Sequence, residues 1–137
     1  MLPAMLDTDI LSEVMRGRNP IMQERALAYL TEYQRLSLSL ITRYEVLRGL
    51  KAKHATRQIL AFDELCYASN VLPLTDPAIV RAAEIYANLR QQGQLISDAD
   101  ILIAATALTY GLALVTGNAA HFARVGGLRI ESWKEPP

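Results

Sequence analysis

Short apolar runs alternate with amphipathic segments along the whole chain. Some runs are unbroken, as in LALVT at residues 112–116, and others alternate strictly with polar residues, as in LSLSLI at residues 36–41. Both patterns are typical of β-strands. They predict five strands, the first ending at Met5–Leu6 and the others at residues 36–41, 70–74, 112–116 and 128–133.

Helical patterns and helix-terminus residues occupy the intervals between these strands. Asp76 followed by Pro77 marks a helix start, with the carboxylate as the cap and the proline in the first turn. The segment ILIAATAL is apolar on every side, which predicts a buried helix. The predicted helices cover residues 10–16, 21–33, 42–53, 55–68, 76–93, 97–111 and 118–125.

Strands separated by helices predict parallel pairing through right-handed crossovers. We therefore expect an α/β fold, a three-layer α/β/α sandwich around a mainly parallel sheet of about five strands. With 137 residues, 51% of them hydrophobic, the chain suits one domain over residues 1–137. No internal repeat or long linker interrupts the order of elements.

Composition excludes several classes of protein. No apolar run approaches the roughly 18 residues that a membrane span needs, and the N-terminus lacks the basic and then apolar pattern of a signal peptide. We therefore expect a cytoplasmic protein without membrane association. The single cysteine, Cys66, excludes an internal disulfide and a cysteine-rich metal site.

The charges balance overall but not locally. Fourteen basic and fourteen acidic residues give a formal net charge of zero, so no global field favours nucleic acid. Between Tyr33 and Phe62, however, only Glu45 opposes a run of basic side chains. They are Arg35, Arg43, Arg48, Lys51, Lys53, His54 and Arg57. This stretch fits either phosphate contacts or a solvated helix face.

Polar side chains follow the predicted strand ends, where parallel sheets bind ligands. These residues are Asp7 after the first strand, Thr42 and Glu45 after the second, and Thr116 and Asn118 after the fourth. Asp98 and Asp100 open the buried helix instead. They lie about 200° apart around an ideal helix, so both reach one site only if Asp98 precedes the helix.

Two interpretations of the acids stay open from the residues alone. Residues 42–45 and 97–100 both match the helix-capping box, and Asp7 also stands where it can cap a helix. Against this, two carboxylates about 4 Å apart repel by roughly 4 kcal/mol at an effective dielectric of 20, a cost that capping does not require. Mg²⁺ or Mn²⁺, which prefer oxygen ligands, would remove the repulsion.

The chain resembles the PIN-domain family, and within it the VapC ribonuclease toxins of bacterial type II toxin–antitoxin modules. The resemblance runs nearly end to end. Its segments are MLDTDILSEVMRG, TRYEVLRGL, ISDADILIAATAL, LVTGNAAHF and GGLRIESW.

The resemblance implies roles for individual residues. Asp7, Glu45 and Asp100 match the metal-binding acids, and Asn118 matches a further catalytic position. Thr8, Asp9, Asp98 and Thr116 are expected to support them, with Asp9 standing where the family usually has asparagine. Arg43, Arg48, Lys51 and Lys53 are weaker candidates for binding RNA.

The implied function is metal-assisted hydrolysis of RNA phosphodiester bonds with Mg²⁺ or Mn²⁺. The implied partners are an RNA substrate, a cognate antitoxin whose segment covers the acidic cleft, and a second copy of the chain. For the homodimer, the candidate surface carries apolar residues that also fit ordinary core packing. They are Ile21, Leu27, Leu30, Tyr44 and Leu47.

Two other functions remain as alternatives. AMLDTD also resembles the first motif of haloacid dehalogenase-like phosphatases, with Asp7 as nucleophile. In that family the strand ending in threonine should precede the second acidic pair, whereas here it follows SDAD. A non-catalytic PIN-like binding module is the other alternative.

Overall fold

A computed structural model describes all 137 residues as five short strands and seven helices. The strands are β1 (Ala4–Leu6), β2 (Ser37–Ser39), β3 (Asn70–Leu72), β4 (Ala113–Val115) and β5 (Ile130–Glu131). The helices are α1 (Thr8–Arg16), α2 (Pro20–Tyr33), α3 (Leu40–Ala52), α4 (Thr56–Tyr67), α5 (Asp76–Gln91), α6 (Asp98–Thr109) and α7 (Ala119–Phe122).

All strand pairs are parallel, as the alternation of strands and helices predicts. β4 pairs with β1 on one side and with β5 on the other, and β2 pairs with β3. β2 also lies beside β1, but no ladder joins these two strands. The five strands therefore form hydrogen-bonded sheets of three and two strands rather than one continuous sheet.

A tyrosine occupies part of the edge of β1 that faces away from β4. Pro3 and Asp7 pair with β4 through their backbone, so the backbone groups of Ala4 point to the opposite edge. There the Tyr29 hydroxyl accepts from the Ala4 N–H at 2.9 Å and donates to the Ala4 carbonyl at 3.0 Å. Tyr29 thus satisfies the groups that a neighbouring strand would otherwise pair.

The core has two parts, one on each face of the strands. Alternate side chains of β1 point to opposite faces, so that Ala4 and Leu6 pack in one apolar cluster and Met5 packs in the other. The first cluster includes side chains of α1 to α4, and the second those of α5 and α6. This is the expected three-layer arrangement. Within it α6 is buried, and no helix of the chain is both long and apolar enough to cross a membrane.

The starts of two helices differ from the sequence-based expectation. α3 begins at Leu40 because the Ser39 hydroxyl caps it, accepting from the Thr42 N–H at 3.0 Å. Residues 42–45 are therefore not a capping box, and the second strand is shorter than predicted. Likewise α5 is capped by Thr75 rather than by Asp76, which is the first helical residue. In both cases the hydroxyl just before the helix takes the cap position.

Candidate active site

Asp7 lies where β1 ends and α1 begins, and its carboxylate is almost fully enclosed. Only 6% of the residue is exposed. Oδ2 accepts from the Thr116 hydroxyl at 2.7 Å, and Oδ1 accepts from the Thr8 N–H at 2.8 Å. Because β1 pairs with β4, the end of one strand brings the acid to the hydroxyl that follows the other. Asp7 is both the N-cap of α1 and the most deeply buried acid of the site.

The environment of Asp7 disfavours its charge. Burial is the largest influence and raises the pKa of Asp7 from 3.8 to about 6. The hydrogen bonds from Thr116 and Thr8 lower the pKa, whereas the negative charges of Asp9 and Asp100 raise it. A nearby cation would stabilise the charged form of a carboxylate in this environment.

Asp9 connects the start of α1 to the turn after β4. Its Oδ1 accepts from the Ile10 N–H at 2.9 Å, and its Oδ2 accepts from the Gly117 N–H at 3.1 Å. A Cβ at Gly117 would lie 2.6 Å from that Oδ2, so only glycine permits this approach. These contacts fit the expected supporting role of Asp9.

Glu45 reaches the same region from the side of α3. Its Oε1 accepts from the Thr8 hydroxyl at 2.6 Å, and its Oε2 lies 3.8 Å from Nη2 of Arg48. The hydroxyl of the buried Thr42 lies 3.1 Å from that of Thr8. Thr8 therefore connects two of the predicted site segments, since its backbone contacts Asp7 and its side chain contacts Glu45.

Asp100 and Asp98 have different surroundings at the start of α6. Ser97 caps this helix by accepting from the Asp100 N–H at 3.2 Å, but the Asp100 carboxylate makes no return bond to Ser97. Its Oδ2 instead lies 3.6 Å from Nδ1 of His121. Asp98 is exposed, already helical, and hydrogen-bonded to none of the other site residues. It does not occupy the non-helical lead-in that a shared site requires.

Asn118 and His121 form a pair that sequence reasoning did not identify. Asn118 Nδ2 lies 2.8 Å from His121 Nδ1, and the Asn118 N–H donates to the Thr116 hydroxyl oxygen at 2.9 Å. His121 thus stands next to Asp100 although the predicted metal ligands include no histidine. The three-residue spacing of Asn118 and His121 was the available signal, since it places both on one side of a helical turn.

The donor set fits a divalent cation that retains much of its water. No group of three or more His, Cys, Asp or Glu side chains is arranged to enclose a metal ion. Mg²⁺, however, is usually held by one or two carboxylates plus waters and substrate phosphates, not by an all-protein cage. Asp7 and Asp100 interact electrostatically, and a cation would relieve the cost of the buried Asp7 charge. The chemistry therefore suits Mg²⁺ or Mn²⁺ at these two acids, with Glu45 nearby.

The four basic residues proposed for RNA have different surroundings. Arg43 donates to Asp63 at 3.1 Å and lies over the Phe62 ring, so it packs against α4. Arg48 lies beside Glu45 and over the Tyr44 ring. Lys51 and Lys53 are exposed and form no salt bridge. The two lysines are thus the basic side chains of α3 and its end most available to phosphate.

A groove begins at the Glu45 side of the site. It has a volume of about 320 Å³ and opens beside Thr8 and Glu45. Side chains of α1, α3 and α4 line it, including the apolar Met15, Val46 and Leu50. The groove therefore joins the carboxylates to a partly apolar surface.

Comparisons with known proteins match nearly the whole chain. The sequence profile of the PIN domain family matches residues 4–128. The tRNA(fMet)-specific endonuclease VapC of Shigella flexneri is 31% identical over 134 residues, covering 97% of this chain and 99% of that protein. The ribonuclease VapC2 of Haemophilus influenzae is 34% identical, with the same coverage of 97% and 99%.

Solved structures agree with these sequence matches. A chain in the DNA-bound VapBC structure from Salmonella typhimurium superposes with a TM-score of 0.86 at 29% identity, covering 97% of this chain and 99% of that one. VapBC-1 from nontypeable Haemophilus influenzae gives a TM-score of 0.86 at 30% identity, covering 98% and 100%.

Proposed function

The chain belongs to the PIN domain family, and from this premise we propose that it is a metal-dependent ribonuclease toxin inhibited by a cognate antitoxin. The observation that supports this most is the position of the Asp7 carboxylate. It is buried at a strand end, and the negative charges of Asp9 and Asp100 act on it. Concentrating acids there has a cost in stability that a structural cap does not need. Binding of a divalent cation would offset the repulsion between these acids and would account for their arrangement.

The proposed reaction is hydrolysis of an RNA phosphodiester bond, in which water attacks phosphorus and the bond to the leaving oxygen breaks. A bound Mg²⁺ or Mn²⁺ would supply an activated water and offset the negative charge that builds on the phosphate. Asp7 and Asp100 are the residues proposed to hold it, with Glu45 contributing directly or through water. Thr116 and Thr8 keep the carboxylates of Asp7 and Glu45 in place.

Asp9 and the turn after β4 have a positioning role in this proposal. The Asp9 carboxylate holds the Gly117 N–H, and the Thr116 hydroxyl oxygen holds the Asn118 N–H. Because the Thr116 hydroxyl also donates to Asp7, the turn is tied to the start of α1 through Thr116 and Gly117, and Asn118 is held to the turn by Thr116. Asn118 is proposed to act from this fixed turn rather than as a further acid.

The antitoxin is proposed to enter through the groove beside Glu45. Similar structures are VapBC complexes, which supports a protein partner for this chain. A segment lying over Met15, Val46 and Leu50 would bury apolar surface and continue towards the carboxylates. A basic side chain from that segment would compensate the acidic charge and exclude a cation.

A homodimer is also proposed, because apolar side chains remain exposed on α2 and α3. Leu27 is 67% exposed and Tyr44 is 60% exposed, whereas Ile21 and Leu47 are only partly exposed and Leu47 packs against the core. Of the candidate surface, Leu27, Leu30 and Tyr44 are thus the available residues. Sedimentation at micromolar concentration is expected to show a dimer that Leu27→Glu weakens.

The test of the proposed function is RNA cleavage by the partner-free protein. tRNA(fMet) is the first substrate to try, because the Shigella relative is named as specific for it, and other tRNAs provide the comparison. Cleavage should require Mg²⁺ or Mn²⁺, stop with a chelator, and fall by more than about 100-fold in a folded Asp7→Asn variant, since even outer partners of metal ligands are worth 10–100-fold.

Two results would change the proposal. If folded wild-type protein leaves a broad set of structured RNAs intact with either ion, the chain is better described as a PIN-like binding module. If cleavage persists fully in Asp7→Asn, the metal assignment is wrong. The PIN family match argues against the haloacid dehalogenase-like alternative, which no other observation supports.

A further inference from the structure

His121 lies at the edge of the acidic site without a role in the proposed metal binding. It stands on α7, the single helical turn after β4, and 46% of its side chain is exposed. The next residue, Phe122, is fully buried and anchors the turn in the core. The imidazole is therefore held by a fixed backbone while part of it faces solvent.

A chain of hydrogen bonds connects the ring to the Asp7 carboxylate. The Thr116 hydroxyl donates to Asp7, and its oxygen accepts from the Asn118 N–H. The side-chain amide of the same Asn118 then contacts His121 Nδ1 at 2.8 Å. The first bond crosses from the end of β4 to the end of β1 and the other two lie within the turn, so the ring position is set relative to Asp7 and not only by packing.

The Asn118 contact selects one form of the neutral ring. An amide nitrogen has only protons to offer, so the neutral tautomer that fits this contact accepts at Nδ1 and carries its proton on Nε2. Asp100 does not compete for Nδ1, because 3.6 Å is too long for a hydrogen bond. Nε2–H is consequently a donor, and no protein atom accepts from it.

We propose that the Nε2–H of His121 donates to a phosphate oxygen of bound RNA, and that Asn118 holds the imidazole in the tautomer that presents this donor. The inference rests on the proposed ribonuclease function. Phosphate oxygens are the acceptors that nucleic acids offer most often to proteins, and they bring no base specificity. This donor lies beside the carboxylates, so it can contact the backbone of RNA bound at the same site.

Nitrogen NMR of the metal-free protein tests the tautomer without any activity. In ¹⁵N-labelled protein near pH 8, the His121 signals should show a protonated Nε2 and an unprotonated Nδ1. In Asn118→Asp the new side chain can only accept, so the proton should move to Nδ1. A proton on Nδ1 in the wild-type ring would overturn the proposal.

RNA affinity tests the contact itself. Fluorescent tRNA(fMet) is titrated with protein in a chelator, so that the RNA stays intact, and the anisotropy gives the dissociation constant. His121→Ala should bind at least about tenfold more weakly, the lower end of the range for one hydrogen bond to a charged acceptor. His121→Gln keeps an N–H donor and should recover most of the affinity.

The chain supplies a matched control because it has only one other histidine. His54 is exposed just after α3, in a left-handed backbone conformation with φ of 53°, which asparagine tolerates. His54→Asn leaves His121 as the only imidazole of the chain, so it assigns the ring signals to His121. If the wild-type protein cleaves RNA and His121→Ala binds RNA with unchanged affinity, the phosphate contact alone is refuted. If the wild-type protein neither binds nor cleaves RNA, the proposed function is refuted as well.

Discussion

Asp7 and Glu45 reach the same region of the molecule from different elements, the end of β1 and α3, but their surroundings differ. Asp7 is attached to a strand end, is 6% exposed, and accepts a hydrogen bond at each oxygen. Glu45 is attached to a helix, its side chain is 19% exposed, and only one oxygen accepts from a protein hydroxyl while the other lies near Arg48. One acid is fixed and enclosed, and the other retains access to water.

This difference shows how the fold divides the requirements of a cation site. A strand end inside a three-layer fold fixes a carboxylate accurately but removes it from water, which makes its charge expensive. A helix surface leaves the carboxylate solvated and free to adjust when an ion and a phosphate arrive. The expensive charge should therefore dominate the pH dependence of stability, and the adjustable one should tolerate more change.

The largest expected effect is on the pH dependence of folding in the metal-free protein. Because the pKa of Asp7 is about 6 when folded and 3.8 in the reference state, the folded chain binds the proton more tightly. The resulting stabilisation is complete below about pH 4 and is lost as the pH rises towards 6 and beyond. At 1.36 kcal/mol per pH unit, it amounts to about 3 kcal/mol.

Denaturant unfolding of wild type and Asp7→Asn between pH 4 and pH 8 measures this contribution. The free energy of unfolding of Asp7→Asn should increase relative to that of the wild type as the pH rises, because asparagine never carries the buried charge. Asp98→Asn, which changes an exposed acid, serves as the control and should follow the wild-type curve. Parallel curves for wild type and Asp7→Asn would show that the Asp7 charge costs little.

The next effect comes from removing the hydroxyl groups that hold the two acids. Thr116→Val keeps the shape but leaves Oδ2 of Asp7 buried without its donor, so metal affinity should fall roughly 10–100-fold. Stability should also fall, by about 1–3 kcal/mol. Thr8→Val removes the donor to Glu45 and should cost less, because water can replace the hydroxyl at a partly exposed carboxylate.

Calorimetric titration with Mn²⁺ distinguishes the two sides. Thr116→Ser and Thr8→Ser retain a hydroxyl and should restore most of each loss, which separates the hydrogen bond from a change in packing. An equal loss of affinity in Thr116→Val and Thr8→Val would mean that the enclosed acid and the partly exposed acid depend on their hydroxyls alike, and the contrast between them would disappear.

Much of the fold could be predicted because strand and helix periods differ and the chain repeats them regularly. The alternation indicated parallel strands and three layers, and the end of β1 located Asp7. The split into two hydrogen-bonded sheets could not be predicted, nor could the contact of Tyr29, distant in sequence, with the backbone of Ala4 at the edge between them. The caps of α3 and α5 were misassigned for a local reason, since Ser39 and Thr75 competed with equally plausible neighbours.

The candidate site divides in the same way. The sequence located the individual polar residues at strand ends and helix starts, which are local properties. It did not identify His121, because the proximity of this residue to Asp100 depends on how α7 lies against α6, although its contact with Asn118 is local. It also did not show that Arg43 packs against α4. Contacts between elements, rather than residue types, decide these points.

A smaller effect is expected for the exposed lysines on the Glu45 side. Lys51→Glu with Lys53→Glu should weaken RNA binding and reduce the slope of log affinity against log salt, by about 0.7 for each single-strand phosphate that the variant no longer neutralises. Arg81→Glu with Arg90→Glu makes the same change in net charge on α5, whose side chains pack in the other core cluster. An unchanged slope in the lysine variant, or an equal change in the control, would reject a local role for the two lysines.

The smallest effect is expected from Asp98→Asn, and its comparison with Asp100→Asn tests whether helix geometry separates the two acids. Asp98 is exposed and helical from the start of α6, while the Asp100 carboxylate lies near His121 and influences Asp7. Changes at such exposed positions are usually worth no more than about 0.5 kcal/mol, so Asp98→Asn should alter Mn²⁺ affinity about twofold at most. Asp100→Asn should lower it at least tenfold. Calorimetry on both variants decides between one acid and two, because an equal loss would place Asp98 at the ion and require the first turn of α6 to unwind when the ion binds.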